Sequence, residues 1–402
     1  MVSVGLNAAT LIYPSLAHPI WLVPAFLIGA CIGSFLNVVI YRVPLGLSVN
    51  EPSRSFCPKC KHPIPMRLNI PLVSWLWLRG KCANCKAPIA FRYFGVELLT
   101  ALLFTAVWWF VQSNLSPWEH FNPSLHLAAL LPLWIMAALF VSITFIDAEH
   151  MVIPIPFTWA SSVAGLAAAA LWPELPNLAK WGAEVFPNAP AWVQGIEKSV
   201  IGWVIGFCGL WVIVRLGKLA FGRKKMEFPN PVDWRLIEPA NDEDPIWFEM
   251  NGEKIGWWDI FYRKTDRLIV ECSELRLDGE PVKAGVLTIR EEGIELPDGR
   301  TIPIEQVKAL DGKSARAVIP REAMGEGDIH LMGAIGAFFG WAGVFFTIFA
   351  ASLFALLAAI PARIGFGKPL PFGPFLIIGA YAWMFGGWKL AQWYFESLVG
   401  RF

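Results

Sequence analysis

The stretch that decides the fold is "GEGDIHLMGAIGAFFGWAGVFF", residues 325–346, where a polar segment gives way at once to an apolar run. Residues 331–362 contain no Lys, Arg, Asp or Glu. As one helix this run would be about 48 Å long, whereas the hydrocarbon core of a bilayer is about 30 Å thick. We therefore predict two spans with a bend near Gly340 and Gly343. Asp328 stands at the polar–apolar boundary, either as a helix cap or as part of a site.

The composition indicates a membrane protein. Hydrophobic residues make up 55% of the chain, charged residues only 16%, and the mean hydropathy is +0.50. A soluble domain does not carry so much apolar mass with so few charges. The formal net charge of +1 argues against a nucleic-acid partner. The expected solvent of most of the chain is the lipid bilayer.

Uncharged runs of about 20 residues predict eight spans in all. The first basic residue is Arg42, so the N-terminal run lacks the basic start of a secretory signal and is expected to be retained. With the run after Asp328 counted as two spans, the predicted set is Pro19–Tyr41, Leu98–Gln112, Leu127–Ile146, Met151–Trp172, Ser199–Val214, residues 331–362 and Pro369–Trp388.

Lys and Arg set the orientation of the spans, because they are enriched in cytoplasmic loops. Residues 42–93 and 215–327 are rich in both, whereas residues 113–125 contain neither. This predicts an external N-terminus. Asp147, in "FIDAEHMVIP", ends the third span, and Asp328 begins the sixth. Both carboxylates are then expected at the cytoplasmic membrane face, although 181 positions separate them.

Two Cys-x-x-Cys motifs lie in the first basic loop. They are "CPKC", with Cys57 and Cys60, and "CANC", with Cys82 and Cys85. The spacing is typical of a tetrahedral zinc site with four thiolates, which leaves no open position and is therefore structural. Two disulfides are the alternative, disfavoured because the loop is assigned to the reducing side of the membrane.

Residues 223–325 form a predicted soluble insert. Alternating stretches such as "RLIVECSELRL" are separated by Asp-Gly pairs at 278–279, 298–299 and 311–312, which indicate hairpin turns. We interpret the insert as a small β-rich domain. It shows no catalytic constellation, and its partner is not readable from the sequence.

With these motifs in view, the chain resembles the type IV prepilin peptidases, the leader peptidases of pilins and type II secretion pseudopilins. The resemblance covers nearly the whole chain except residues 223 to about 315. Two positions depart from the family pattern: His330 where a Lys is usual, and Ile155 where an Asp is usual. The stretches that carry it are "GSFLNVVIYRVP" (33–44), "NIPLVSWLWLRGKCANC" (69–85), "RYFGVELLTALLF" (92–104), "FIDAEHMVIP" (145–154), "GEGDIHLMGAIGAFFGW" (325–341) and "KPLPFGPFLIIGA" (368–380).

The resemblance implies an aspartic endopeptidase of the bacterial cytoplasmic (inner) membrane, with Asp147 and Asp328 as its catalytic pair and its active site facing the cytoplasm. Two carboxylates held close together can share one proton, so that one activates water while the other polarises the scissile carbonyl. The implied substrates are prepilins and pseudopilins. The resemblance also implies N-methylation of the newly exposed residue, with S-adenosylmethionine as cofactor.

The predicted fold is mainly α, a polytopic membrane helical bundle with a cytoplasmic zinc-binding loop and an inserted β-rich soluble domain. The first span occupies residues 1–42, the tetracysteine loop 43–93, spans two to five 94–222, the insert 223–325 and the C-terminal spans 326–402.

Other interpretations stay open at this point. Asp147 could cap the helix that begins near Met151, and Asp328 could favour the positive end of its own helix. The whole chain could be a zinc-ribbon membrane adaptor without activity, or an ion-coupled transporter, which would place acids well inside spans. Glu149 is interpreted as a neighbour of the pair, and His150 and His330 as polar interfacial contacts. The glycines before Asp328 are expected to let an extended substrate approach closely.

Overall fold

A computed structural model describes residues 18–51, 55–57, 59–114, 123–181, 184–237, 246–261, 266–320, 325–360 and 370–399. They fall into two compact units. The first comprises residues 1–211 and 325–402, and the second comprises residues 212–324. The first unit is helical and contains both aspartates and the four paired cysteines, while the second is built on a β-sheet.

Long apolar helices make up the first unit. Five of the described helices are long and apolar enough to cross a membrane, and the shorter apolar helix Ile155–Leu171 accompanies them. The chain is therefore a multi-pass membrane protein, and the total of eight spans stays a prediction. In chain order the helices are α1 (Leu22–Arg42), α2 (Val73–Trp77), α3 (Phe91–Asn114), α4 (Pro123–His150), α5 (Ile155–Leu171), α6 (Ala191–Phe221), α8 (Glu326–Ala359), α9 (Gly373–Ala382) and α10 (Trp388–Val399), with α7 in the second unit.

Several helices differ in length from the predicted spans. The predictions Leu98–Gln112 and Ser199–Val214 stop where charged residues begin, but α3 and α6 continue through those residues. Charged side chains at a helix end can reach the interface while the backbone stays helical. In contrast, α5 begins four residues later than predicted. Met151 has a φ of 55°, and Pro154 precedes the first helical residue.

The predicted bend in the long apolar run is confirmed at Gly340. This residue has φ 64° and ψ −172°, and it divides α8 into two helical pieces. Only glycine adopts that conformation without steric cost. A Cβ at this position would also lie 2.0 Å from the carbonyl oxygen of Pro176. The break therefore depends on glycine both for its backbone angles and for its close contact.

The run Pro369–Trp388, predicted as one span, is an interrupted helix in the part that the structure describes. Its described part consists of α9, a π-helical segment Trp383–Gly387 and then α10, which extends to Val399. Gly386 has a φ of 144°, outside the helical region. The C-terminal helix pair thus changes direction at a second glycine.

Close contact between α6 and α8 shapes the centre of the helical unit. The hydroxyl of Ser199 donates a hydrogen bond of 2.6 Å to the carbonyl oxygen of Ala337. A Cβ on Gly202 would lie 2.2 Å from the carbonyl oxygen of Gly336, and one on Gly336 would lie 2.1 Å from that of Gly202. Small residues let two membrane helices approach until their backbones touch. This contact fixes α8, the helix that carries Asp328.

The second unit is the β-rich domain that the insert predicts. Its strands form one antiparallel sheet in the order β3-β2-β1-β9-β4-β6-β7-β8, with β5 beside β4. The first and last strands pair with each other, with Arg223 opposite Pro320, so the domain begins and ends at one place. The strands are β1 (Arg223–Ile237), β2 (Trp247–Met250), β3 (Glu253–Gly256), β4 (Leu268–Leu277), β5 (Glu280–Val282), β6 (Gly285–Ile289), β7 (Gly293–Glu295), β8 (Thr301–Pro303) and β9 (Leu310–Pro320), with the short α7 (Trp257–Ile260) after β3.

The turns of this sheet only partly follow the prediction. The Asp-Gly pairs at 278–279 and 298–299 connect β4 to β5 and β7 to β8, as predicted. The pair at 311–312 is not a turn, since it lies inside β9 and pairs with β1 and β4. The pair Asn251-Gly252, which the sequence analysis overlooked, connects β2 to β3 with φ values of 50° and 80°. Those positive angles are what a two-residue hairpin turn requires.

The α6–α8 contact generates a stability prediction. Gly202→Ala places a methyl group against backbone atoms, and overpacking of this kind typically costs about 1–3 kcal/mol. Gly209→Ala, in the same helix, meets no atom within 4 Å and gains up to about 1 kcal/mol of helix propensity. Thermal unfolding in detergent should therefore give a lower melting temperature for Gly202→Ala and an unchanged or higher one for Gly209→Ala. Equal melting temperatures would contradict the contact.

Candidate active site and metal centre

Asp147 lies in the last turn of α4 and is only 5% exposed. Its Oδ2 accepts a hydrogen bond of 3.1 Å from the backbone N–H of Gly373, the first residue of α9. The first N–H groups of a helix have no partner within the helix and carry partial positive charge, which favours a carboxylate. The alternative in which Asp147 caps the following helix is wrong. Helix α5 begins only at Ile155, and its N-cap makes no side-chain hydrogen bond.

Asp328 is the third residue of α8 and is 7% exposed. The backbone N–H of Gly325 donates to its carboxylate. Its Oδ1 is buried, and no donor among the described residues reaches it. A helix-capping role would explain the oxygen that accepts from Gly325, but not the buried Oδ1 that has no donor. Oδ1 is therefore an acceptor that remains available for a group outside the chain.

The structure brings the two aspartates together. The carboxylates of Asp147 and Asp328 are close enough for their charges to interact. Ile153, in the link between α4 and α5, lies against Gly327, the chain neighbour of Asp328, and against Gly373, the hydrogen-bond donor to Asp147. A Cβ on Gly327 would lie 2.5 Å from the Cβ of Ile153, and a Cβ on Gly373 would lie 2.9 Å from its Cδ1. The loop after α4, the start of α8 and the start of α9 thus meet in one small region.

The role expected for the glycines before Asp328 needs correction at one position. Gly327 does not present a bare backbone to an incoming chain, because Ile153 occupies its side-chain direction. Gly325 fits the expectation better. It is exposed, and a Cβ there would meet only Asp328 Oδ2 at 3.7 Å and the Gly327 nitrogen at 4.0 Å. Gly327 is thus required for packing, while Gly325 leaves one approach to the carboxylate open.

The neighbouring titratable residues lie outside the pair. Glu149 forms an ion pair with Arg92 at the start of α3. His330, expected to be a polar contact, instead packs its ring against Trp159 and Phe207, with centroids 5.9 and 5.1 Å away. Side chains two residues apart on a helix point about 200° from each other around the axis. His330 therefore faces away from the side on which Asp328 lies.

Sequence reasoning missed three residues that shape this region. Gly373 and Ile153 belong to quoted motifs, but their spacing from the aspartates gives no hint of contact. Glu97 was placed outside the second span, whereas α3 begins at Phe91 and includes it. Its Oε2 accepts a hydrogen bond of 2.7 Å from the backbone N–H of Leu72. Helix α3 therefore carries an acid near its start, and the cysteine loop supplies its hydrogen-bond donor.

The four paired cysteines converge as the spacing predicts. Their sulfur atoms all lie within 4.8 Å of one another, and the Sγ atoms of Cys57 and Cys85 are 3.8 Å apart. Four sulfurs bound tetrahedrally at about 2.3 Å from one ion would be about 3.8 Å apart. All four are free thiols, so the alternative of two disulfides is not what the structure has. The cluster can hold a metal ion.

Each pair sits in the same kind of tight turn. The N–H of Cys57 donates to His62 O at 3.0 Å, and the N–H of Cys82 donates to Ala87 O at 2.8 Å. Backbone N–H groups also point at the sulfurs. The N–H of His62 lowers the pKa of the Cys60 thiol to about 6, against the opposing effect of desolvation. Thiolates are the form that binds metal, so backbone N–H groups in these turns favour the metal-binding form of Cys60 and Cys82, whereas desolvation and the neighbouring thiols raise the pKa of Cys85.

Comparison with known proteins agrees with this architecture. The bacterial peptidase A24 N-terminal domain matches residues 27–111, and the type IV leader peptidase family matches residues 308–360, which include Asp328 but not Asp147. No solved structure matches.

Three similar proteins are named prepilin leader peptidase/N-methyltransferase. The Aeromonas hydrophila protein is 38% identical over 236 residues, 53% of this chain and 69% of the relative. The Myxococcus xanthus (strain DK1622) protein is 42% identical over 213 residues, 53% of this chain and 54% of the relative. The Neisseria gonorrhoeae protein is 33% identical over 236 residues, 53% and 70% of the two chains. The chain belongs to the type IV leader peptidase family.

Proposed function

We propose that this protein is an aspartic endopeptidase of the bacterial inner membrane that removes the leader peptide from type IV prepilins and type II secretion pseudopilins. The observation that carries the proposal is the meeting of Asp147 and Asp328, two buried carboxylates from helices far apart in sequence. Burying two carboxylates next to each other costs free energy, because their like charges repel and both lose hydration. Such a cost is expected where the pair performs chemistry.

The geometry suits activation of water by the pair. With Asp147 Oδ2 held by Gly373, its other oxygen can take a proton from a water molecule. Asp328 Oδ1 is free to contact the same water or the scissile carbonyl. In one step the water oxygen bonds to the carbonyl carbon, one carboxylate takes the water proton, and the other carboxyl donates to the carbonyl oxygen. The C–N bond then breaks as the leaving amine takes up a proton.

The basic loops support a site at the cytoplasmic face of the membrane. Residues 42–93 and 215–327 are the stretches rich in Lys and Arg, and cytoplasmic loops carry that bias. The start of α8 lies at the end of the second stretch, and Glu149 in the last turn of α4 pairs with Arg92 of the first. An enzyme oriented in this way meets the basic leader of a prepilin before that leader leaves the cytoplasm.

We also propose zinc as the metal of the cysteine cluster and N-methylation as a second activity. Four thiolates in tetrahedral arrangement suit zinc, which is redox-inert and structural in such sites. Cys57, Cys60, Cys82 and Cys85 would hold it and fix the fold of the loop. S-adenosylmethionine would supply the methyl group for the new N-terminal amine. The names of the relatives support this second activity.

Substitution of each aspartate tests the pair. Asp147→Asn and Asp328→Asn keep the side-chain shape but remove the titratable oxygen, so each should reduce cleavage of a synthetic prepilin peptide by about 100-fold or more. The double variant should be little worse, because the pair acts as a unit. Glu149→Gln removes a nearby charge from a partly exposed ion pair and should change the rate little. Near-normal cleavage by either Asn variant would exclude the aspartic mechanism, whereas absence of cleavage by the unsubstituted protein would favour the adaptor or transporter.

The hydrogen bond from α9 generates a second test. In Gly373→Ala the added Cβ would lie 2.7 Å from Asp147 Oδ2, so the carboxylate must move. A misplacement of about 1 Å in a catalytic group can cost about 100-fold in rate. Peptide cleavage should fall by that order while the protein stays folded. Gly209→Ala, where the new methyl group meets open space, is the control and should cleave normally. Unchanged cleavage by Gly373→Ala would show that this contact does not position Asp147.

Elemental analysis tests the metal. The purified chain should contain about one zinc ion, which Cys57→Ser should largely remove because three thiolates bind it more weakly. Cys208→Ser, outside the cluster, should keep the metal. Since both aspartates lie on helices, cleavage should fall less than methylation in the Cys57→Ser variant. A metal content that is the same in both variants would rule out the cluster as the binding site.

A further inference from the structure

The segment between the two cysteine pairs exposes an unusual amount of apolar surface. Met66 is 88% exposed and Trp77 is 81% exposed. Ile70, Val73 and Leu76 are exposed as well. We define the Met66–Trp77 face as these five side chains. Clustered large hydrophobic residues on a surface mark a site of contact with a membrane or a partner.

The opposite side of the same segment is firmly packed. The ring of Trp75 lies against Phe91 and Phe94 at the start of α3, with centroids 5.7 and 5.2 Å away. Its Nε1 donates to the carbonyl oxygen of Ile89. The hydrogen bond from Leu72 N–H to Glu97 ties the segment to the body of α3. The short helix α2 is therefore held in one orientation, with its second apolar side turned outward.

The charge around the exposed face has one sign. Residues 52–96 contain no Asp or Glu but eight Lys and Arg. Arg67 and Arg79 lie within and just beyond the face, and both are exposed. Four thiolates around a divalent ion would leave a net negative charge of about two in the same region, so the segment stays basic. Apolar side chains flanked by cations fit a surface that combines hydrocarbon with negative charge.

The position of the segment supplies that surface. Through Trp75 it packs on Phe91 and Phe94 in the first turn of α3, a helix long and apolar enough to cross a membrane. A structure fixed to the end of a span lies at the level of the lipid headgroups. We propose that the Met66–Trp77 face inserts into this interface, with Arg67 and Arg79 on anionic phospholipid headgroups. The proposal depends on the membrane spans and is independent of peptidase activity.

Hydrogen exchange of the full-length, substrate-free protein in nanodiscs tests this proposal. Nanodiscs of phosphatidylcholine alone are compared with an equimolar mixture of phosphatidylcholine and phosphatidylglycerol. Amides of residues 66–79 should exchange more slowly in the anionic nanodiscs, and added salt should reduce the difference because it screens the headgroups. Amides of α3 should exchange equally in both lipids and serve as the internal check of folding.

Matched variants separate the charges from the apolar contacts. Arg67→Gln and Arg79→Gln should each speed exchange of residues 66–79 in anionic nanodiscs by about fivefold. This is the change in binding equilibrium expected when one cation is removed from an anionic surface. Lys283→Gln and Lys308→Gln each remove one charge from an exposed position of the β-rich unit and should have no effect. Met66→Ser with Trp77→Ser should speed exchange in both lipids.

Three results would overturn the proposal. The first is equal exchange of residues 66–79 in neutral and anionic nanodiscs. The second is an equal response to the arginine variants and to the lysine control. The third is protection that appears only when a prepilin peptide is added, which would assign the face to substrate. Since no cleavage is measured, these outcomes are distinct from a failure of the aspartic mechanism.

Discussion

The hydrogen bond from Gly373 N–H to Asp147 Oδ2 is the interaction on which the candidate site depends. A carboxylate inside an apolar bundle loses its hydration, and only well-placed donors offset that loss. The first N–H of α9 is such a donor, since nothing in its own helix can use it. The contact requires a residue without a side chain at position 373, and it brings the start of α9 against the last turn of α4. Ile153 fills the remaining space between them.

Glycines in the helical unit allow its helices to pack closely enough to meet at the site. Gly202 and Gly336 bring the backbones of α6 and α8 into contact, and Gly340 breaks α8 against the carbonyl of Pro176. In a membrane the backbone groups freed at such a break must find partners within the protein. Helix α8 therefore reaches the site as a short piece, fixed on one side by α6.

Much of this could be predicted from the sequence because the membrane imposes simple rules. Uncharged runs indicated the apolar helices, and the paired cysteines indicated a metal cluster. The glycines at 340 and 343 indicated the bend in α8. The contacts of Asp147 were not predictable, because they join residues more than two hundred positions apart through a backbone N–H. Glu97 was misplaced since a helix continues through a charge when its partner lies nearby. In the β-rich unit, Asp311-Gly312 has the composition of a turn, but pairing with β1 and β4 on both sides keeps it in a strand.

The separation of Asp147 from its donor has a consequence for the timing of synthesis. The two residues are 226 positions apart, and at the usual rate of about 5–20 residues per second the ribosome needs about 10–45 seconds to cover that distance. During most of that interval α4 is already made, whereas neither α8 nor α9 exists yet. The nascent chain therefore carries one half of the carboxylate pair without the other and without its hydrogen-bond donor. In the mechanism proposed above cleavage requires both carboxylates, so a chain that lacks its last helices would be inactive.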